Sequence, residues 1–218
     1  MRSDTVIVTT LRGAWPCLPA LLVASAALCA AATVPVFVVP GVNPIAVLLY
    51  AVLAAPFLPA LIAVANAAAF DEVATIRSWA RALRAHALFG MRHCLVAAGA
   101  GELFLAALEV WSRGRPMWML PSLALTGAAT VVTLSGLLAV LPLGVARPGL
   151  RGVRLWITAL HLVARRPVRF VAVFSLVGLG LWAATSWSAS VLLLLPAPVT
   201  LVMVAAVWTT KADLAHPQ

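Results

Sequence analysis

Six long apolar stretches, at roughly 15–39, 44–66, 94–111, 117–143, 168–186 and 191–209, leave this chain few folds to choose from. Each is close to the ~20 residues that a helix needs to cross the hydrocarbon core of a bilayer. In hydrocarbon every backbone N–H and C=O must be satisfied within the protein, which a helix does alone and an open strand does not. Composition closes the water-soluble alternative. Charged residues are 10% of the 218 and apolar residues 64%, against about 25% and 45–50% in soluble domains. So little charge cannot cover a folded surface in water. The expected fold class is an all-α membrane protein: about six transmembrane helices in a single integral membrane domain, 1–218.

The first stretch carries Ala-rich, cleavage-like sites in "ASAALCAAA" and so has some character of a signal peptide. A retained helix is the stronger reading, because the run reaches Pro40, longer than a usual h-region, and Asp4 precedes it.

Lys and Arg number 15 against 6 Asp and Glu, for a net charge of +9. In a soluble chain that excess would point to nucleic acid. Between apolar runs it reports topology and lipid contact instead, so no nucleic-acid partner is expected. If the N-terminus is cytoplasmic, thirteen basic residues fall inside: Arg2, Arg12, four Arg within 70–93, six within 147–169, and Lys211. Only Arg113 and Arg115 fall outside. The positive-inside rule then places both termini in the cytoplasm and the basic side against an anionic inner leaflet. Tryptophans agree: Trp15 and Trp208 fall at inner ends of stretches, and Trp111, Trp118 and Trp187 at outer ends, as an aromatic belt requires.

The two longest inner connections share a pattern. Stepping about 100° per residue, Val73, Ile76, Trp79, Leu83, Ala87 and Met91 fall on one arc, with Arg77, Arg81, Arg84 and Arg92 on another. In the second connection Leu150, Val153, Trp156, Ile157, Leu160 and Ala164 make the apolar arc, and Arg151, Arg154, Arg165 and Arg169 the basic one. Both predict amphipathic basic helices, near 71–92 and 149–166, lying in the inner interface. An offset of 77 superposes Arg77 on Arg154, Trp79 on Trp156 and Arg92 on Arg169, with ten identities over residues 77–107. Two spans separate the copies, so the expected repeat is parallel rather than inverted. One reading of these helices is lipid anchoring, at about 1 kcal/mol per arginine near the surface. The other is docking of a membrane or cytoplasmic protein partner, which explains the matched Arg and Trp positions. Candidate docking residues are Arg77, Trp79, Arg92, Arg154, Trp156 and Arg169.

Glu102 lies eight residues into the third stretch, and Glu109 follows on nearly the same face. An acid there costs about 2.5–3.5 kcal/mol on insertion scales, so it must be protonated, paired or water-exposed. It is a candidate proton or cation site, or else an interhelical hydrogen-bonding group. Pro56 and Pro59 in the second stretch, and Pro196 and Pro198 in the sixth, predict kinks. Ala97 and Gly101 are spaced to seat a neighbouring helix. Cys17, Cys29 and Cys94 form no CxxC pair and read as small buried apolar residues. His86, His93, His161 and His216 read as inner-surface histidines, with no metal site expected. HExxH, GxSxG and GxxxxGK[ST] are absent. No enzyme activity and no cofactor are therefore expected.

The segment "PFLPALIAVANAAAFDEVATIRSWARALRAH" resembles the YesL-like family of small bacterial integral membrane proteins, a domain of unknown function. Pro59-Ala60-Leu61 stands where that family has a Gly/Pro-Ala-Leu run ending its second helix, and 78–84 where it has a basic, Trp-containing amphipathic helix. "ITALHLVARRPVRFVAVFSLVGLGLW" is similar to its second basic helix. Leu58 replaces the usual Gly, and Leu83 a common aromatic. The resemblance implies a bacterial plasma-membrane location and an accessory role in carbohydrate uptake beside a membrane transporter. It supplies no catalytic or binding residues. The alternative function is a small transporter or channel whose path includes Glu102.

Overall fold

The computed structural model describes residues 3–39, 44–114, 117–188 and 190–215, and among them every regular element is helical. In chain order these are α1 (Ser3–Val38), α2 (Pro44–Leu53), α3 (Phe57–Ala69), α4 (Ile76–Gly114), α5 (Leu120–Ala146), α6 (Gly152–Arg165), α7 (Pro167–Ser186), α8 (Val191–Leu194) and α9 (Pro196–Ala215), with a 3-10 turn at Met117–Met119 before α5. Five segments are long and apolar enough to cross a membrane: Val6–Val38, Ile76–Gly114, Met117–Ala146, Pro167–Ser186 and Val191–Leu214. A sixth is obtained when α2 and α3, bent by 48° at their junction, are counted as one span. Only 17–39% of the apolar windows of the five is buried inside the protein. Leu103, Leu125, Val131 and Leu179 stand outward, as side chains facing acyl chains do. The all-α membrane class is as the sequence requires. Arg2, Arg115 and His216 lie outside the described residues.

Long-range contacts define two ends of the bundle. Cys17 of α1 meets the 72–74 connection, Asn66 of α3 meets α5 and α9, and Arg169 of α7 meets Asp213 of α9. These contacts gather the arginine-rich connections at one end, the basic end. At the opposite end Cys29 donates its Sγ–H to the Leu192 carbonyl, at 3.1 Å.

Helix α1 starts at Ser3, well before the apolar stretch, and runs unbroken through Pro16, Pro19 and Pro35. Cys17, Ala20, Leu21, Ala24 and Leu28 recur at helical spacing and pack on α3 residues Leu61, Val64 and Ala68. Gly13 continues that stripe. A Cβ added to it would strike the Ala68 backbone carbonyl, so only glycine permits the two backbones to come this close. Gly101, by contrast, has nothing within 4 Å of an added Cβ, so the Ala97–Gly101 spacing seats no helix at Gly101.

Pro56 and Pro59 do more than kink the second span. Residues 54–56 leave the helix, Pro56 caps the start of α3, and Pro59 falls in the first turn, where a missing N–H costs nothing. Gly90 of α4 fits against this break, an added Cβ there meeting Pro59 and the Ala55 carbonyl. Pro196 likewise opens α9 after the short α8.

The two basic connections are built differently from one another. No separate helix spans 71–92: residues 72–75 are irregular, and Ile76–Gly114 is a single 39-residue helix. At ~1.5 Å per residue it is about 58 Å long, nearly twice the ~30 Å hydrocarbon core. Its arginine-bearing first half is thus an extension of the spanning helix rather than a free element lying in the interface. The second connection does hold a separate helix, α6, which buries Leu155, Ala159 and Leu162 against the end of α5. One residue accounts for the difference. Gly90, which helices tolerate, falls opposite Pro167 when the sequence is shifted by 77. Pro167 sits at the start of α7, and Arg166 before it adopts φ −141° and ψ 64°, outside the helical region, as a residue preceding proline tends to do.

Candidate functional site at the basic end

The basic end presents a field of unpaired charge. Arg77, Arg81, Arg84 and Arg92 on α4, Arg147 and Arg151 in the connection, and Arg154 and Arg165 on α6 are all exposed. Among the described residues none of the eight forms an ion pair. Asp71 and Glu72 lie exposed in the turn before α4, at the same end, and form no ion pair among the described residues. Asp213 accepts Arg169 Nη2 at 2.7 Å, with Arg166 at 3.8 Å, and Glu109 pairs with Arg113 at the opposite end of α4.

The six candidate docking residues do not form one surface. Arg77 and Arg154 project freely from α4 and α6. Arg92 lines a cleft beside the 148–152 turn. Arg169 is drawn inward: besides Asp213 it donates Nη1 to Thr210 Oγ1 at 3.4 Å, which ties α7 to α9. The tryptophans are half-buried and serve packing. Trp79 lies against the α1–α3 core, its indole N–H enclosed and without a hydrogen-bond partner among the described residues. Trp156 lies over Gly136 of α5, where an added Cβ would come within 2.8 Å, and stacks on the His93 ring at 6.1 Å between centroids. Matched Trp positions therefore coincide with matched packing positions.

Sequence reasoning missed a polar knot that joins three helices. Asn66, buried on α3, donates Nδ2–H to the Pro142 carbonyl of α5 at 3.2 Å and accepts from the Trp208 indole of α9 at 2.9 Å. Trp208 in turn meets Phe70 edge-to-face at 5.0 Å and carries Lys211 above its ring at 4.8 Å. The available clue was an amide inside an alanine-rich apolar run, where a polar group must find a partner. Cys17 is also more than filler. Its Sγ accepts from the Ala74 N–H at 3.3 Å and donates to the Glu72 carbonyl at 3.4 Å, pinning the turn that launches α4.

Glu102 sits in the second half of α4 with Oε1 enclosed and no hydrogen-bond partner among the described residues. No group of three His, Cys, Asp or Glu suited to a metal ion occurs among the described residues. No known family model, curated protein or solved structure matches the chain.

Proposed function

We propose that this chain is a non-enzymatic accessory or scaffold component of a bacterial inner membrane, with both termini cytoplasmic. Its basic end docks a membrane transporter or a cytoplasmic protein and rests on anionic lipid. The observation that carries this reading is the set of eight exposed arginines without ion pairs among the described residues, six on α4 and α6 and two in the connection between α5 and α6. A chain that needed them only for its own stability would have paired them, as Asp213 pairs Arg166 and Arg169. A link to carbohydrate uptake rests on the YesL-like resemblance alone. Gentle detergent purification of the tagged protein, followed by mass spectrometry, is expected to recover a near-stoichiometric partner. The Arg77→Glu/Arg154→Glu variant is expected to lower that recovery about tenfold, through slower association and charge repulsion. Membrane insertion and thermal midpoint should be unchanged, because both side chains are free. Unchanged recovery in the variant refutes the assignment.

Glu102 favours a second reading, a small transporter or channel. An enclosed carboxyl oxygen without a partner in an apolar helix is costly and is kept where an ion or proton uses it. On that reading purified protein in proteoliposomes carries a pH-dependent cation flux that Glu102→Gln abolishes. Equal flux in wild type and variant removes its support.

A further inference from the structure

A cleft of about 520 Å³ opens at the basic end between α4 and the turn that leads into α6. Its walls carry His86, Arg92 and His93 from α4 and Arg151 from the turn, over an apolar floor that includes Phe89 and Leu150. No Asp or Glu lines it. We infer that this cleft binds a terminal phosphate group between Arg92 and Arg151. The inference goes beyond the docking reading and holds whether or not a protein partner is found.

Three features support it. First, the cationic groups come from elements some sixty residues apart in sequence, and the fold brings them to one concavity rather than spreading them over a convex face. Guanidinium groups placed on two sides of a cleft suit the oxygens of a phosphate, which accept paired N–H donors. Second, two of the groups, His93 and Arg151, are held in position. His93 Nδ1 hydrogen-bonds the Phe89 carbonyl at 2.8 Å, and its ring sits against Phe89 and Trp156. Arg151 Nε donates to the Pro148 carbonyl at 2.9 Å, which fixes the stem of the side chain and leaves both Nη groups for a ligand. Third, neither Arg92 nor Arg151 has an acidic partner among the described residues, so an incoming anion displaces nothing.

The same chemistry is offered by free phosphate and by a lipid with a phosphomonoester headgroup. An apolar floor suits the acyl chains of such a lipid. The test uses the full-length protein in neutral detergent, titrated with inorganic phosphate and, separately, with short-chain phosphatidic acid, with binding read by calorimetry. Saturable binding of either is expected, weakened tenfold or more in Arg92→Gln and in Arg151→Gln. Arg12→Gln removes an exposed arginine of α1, outside the cleft, and should bind as wild type does. Binding of inorganic phosphate assigns the site to a free anion, and binding of phosphatidic acid alone assigns it to a lipid headgroup. Absence of saturable binding to both probes overturns the inference. So does an equal loss in Arg12→Gln, which would mark a diffuse charge effect rather than a site.

Discussion

Replacing Gly13 by leucine is expected to open the seam between α1 and α3. Any Cβ at that position enters the space of the Ala68 carbonyl, and backbone cannot rotate away as a flexible side chain would. The helices must separate, and the stripe below them, from Cys17 to Leu28, loses its contact with Leu61 and Val64. Overpacking of this kind costs about 3 kcal/mol. The protein should then aggregate in detergent or melt many degrees lower. Gly101→Leu is the matching control: the same substitution in a helix where an added Cβ meets nothing should leave the midpoint close to wild type. If the two variants melt alike, the α1–α3 approach is not what holds this half of the bundle.

The second large effect is expected at Asn66. Asn66→Leu strands the Pro142 carbonyl and the Trp208 indole N–H, which loses its acceptor. Interhelical hydrogen bonds within membranes are individually modest, about 0.6–2 kcal/mol. Two lost together, with a buried donor left unpaired, should cost about 2 kcal/mol. Trp208→Phe removes one of the same bonds. The double variant should therefore cost less than the two singles summed, by the coupling that a double-mutant cycle measures. Strict additivity would mean that the two side chains stabilise the protein separately.

Hydropathy made the spans legible because transfer from water to hydrocarbon acts on each segment by itself. It could not show where helices continue past the lipid. Ser3–Arg12 and Ile76–Arg92 are helical, yet too polar to register as span. The contrast between Gly90 and Pro167 was present in the sequence, and it decides that the first basic segment is continuous with its span while the second is not. Treating both connections as the same repeated device hid that difference. Contacts between distant residues were not legible at all. Arg169 finds Asp213 across 44 residues and Cys17 holds Ala74 across 57, and no local pattern announces either pairing. Arginine spacing showed basic faces but not that Arg92 and Arg151 share a concavity, since that depends on how α5 ends. The tryptophan matches carry a packing explanation beside the docking one, because a large aromatic on the apolar arc of an amphipathic helix serves packing as readily as recognition.

The unbroken course of α4 gives the molecule a lever. Its near-midpoint, Gly90, is wedged at the bend between α2 and α3, and the helix extends from that fulcrum toward both ends of the bundle. From Gly90 to Gly114 it spans about 36 Å. A tilt of about 5° imposed at the arginine-bearing arm would swing the far tip by roughly 3 Å in the opposite sense. A hinged helix would absorb such a tilt at its hinge. An unbroken, rigid α4 would instead carry such a displacement from one end of the bundle to the other.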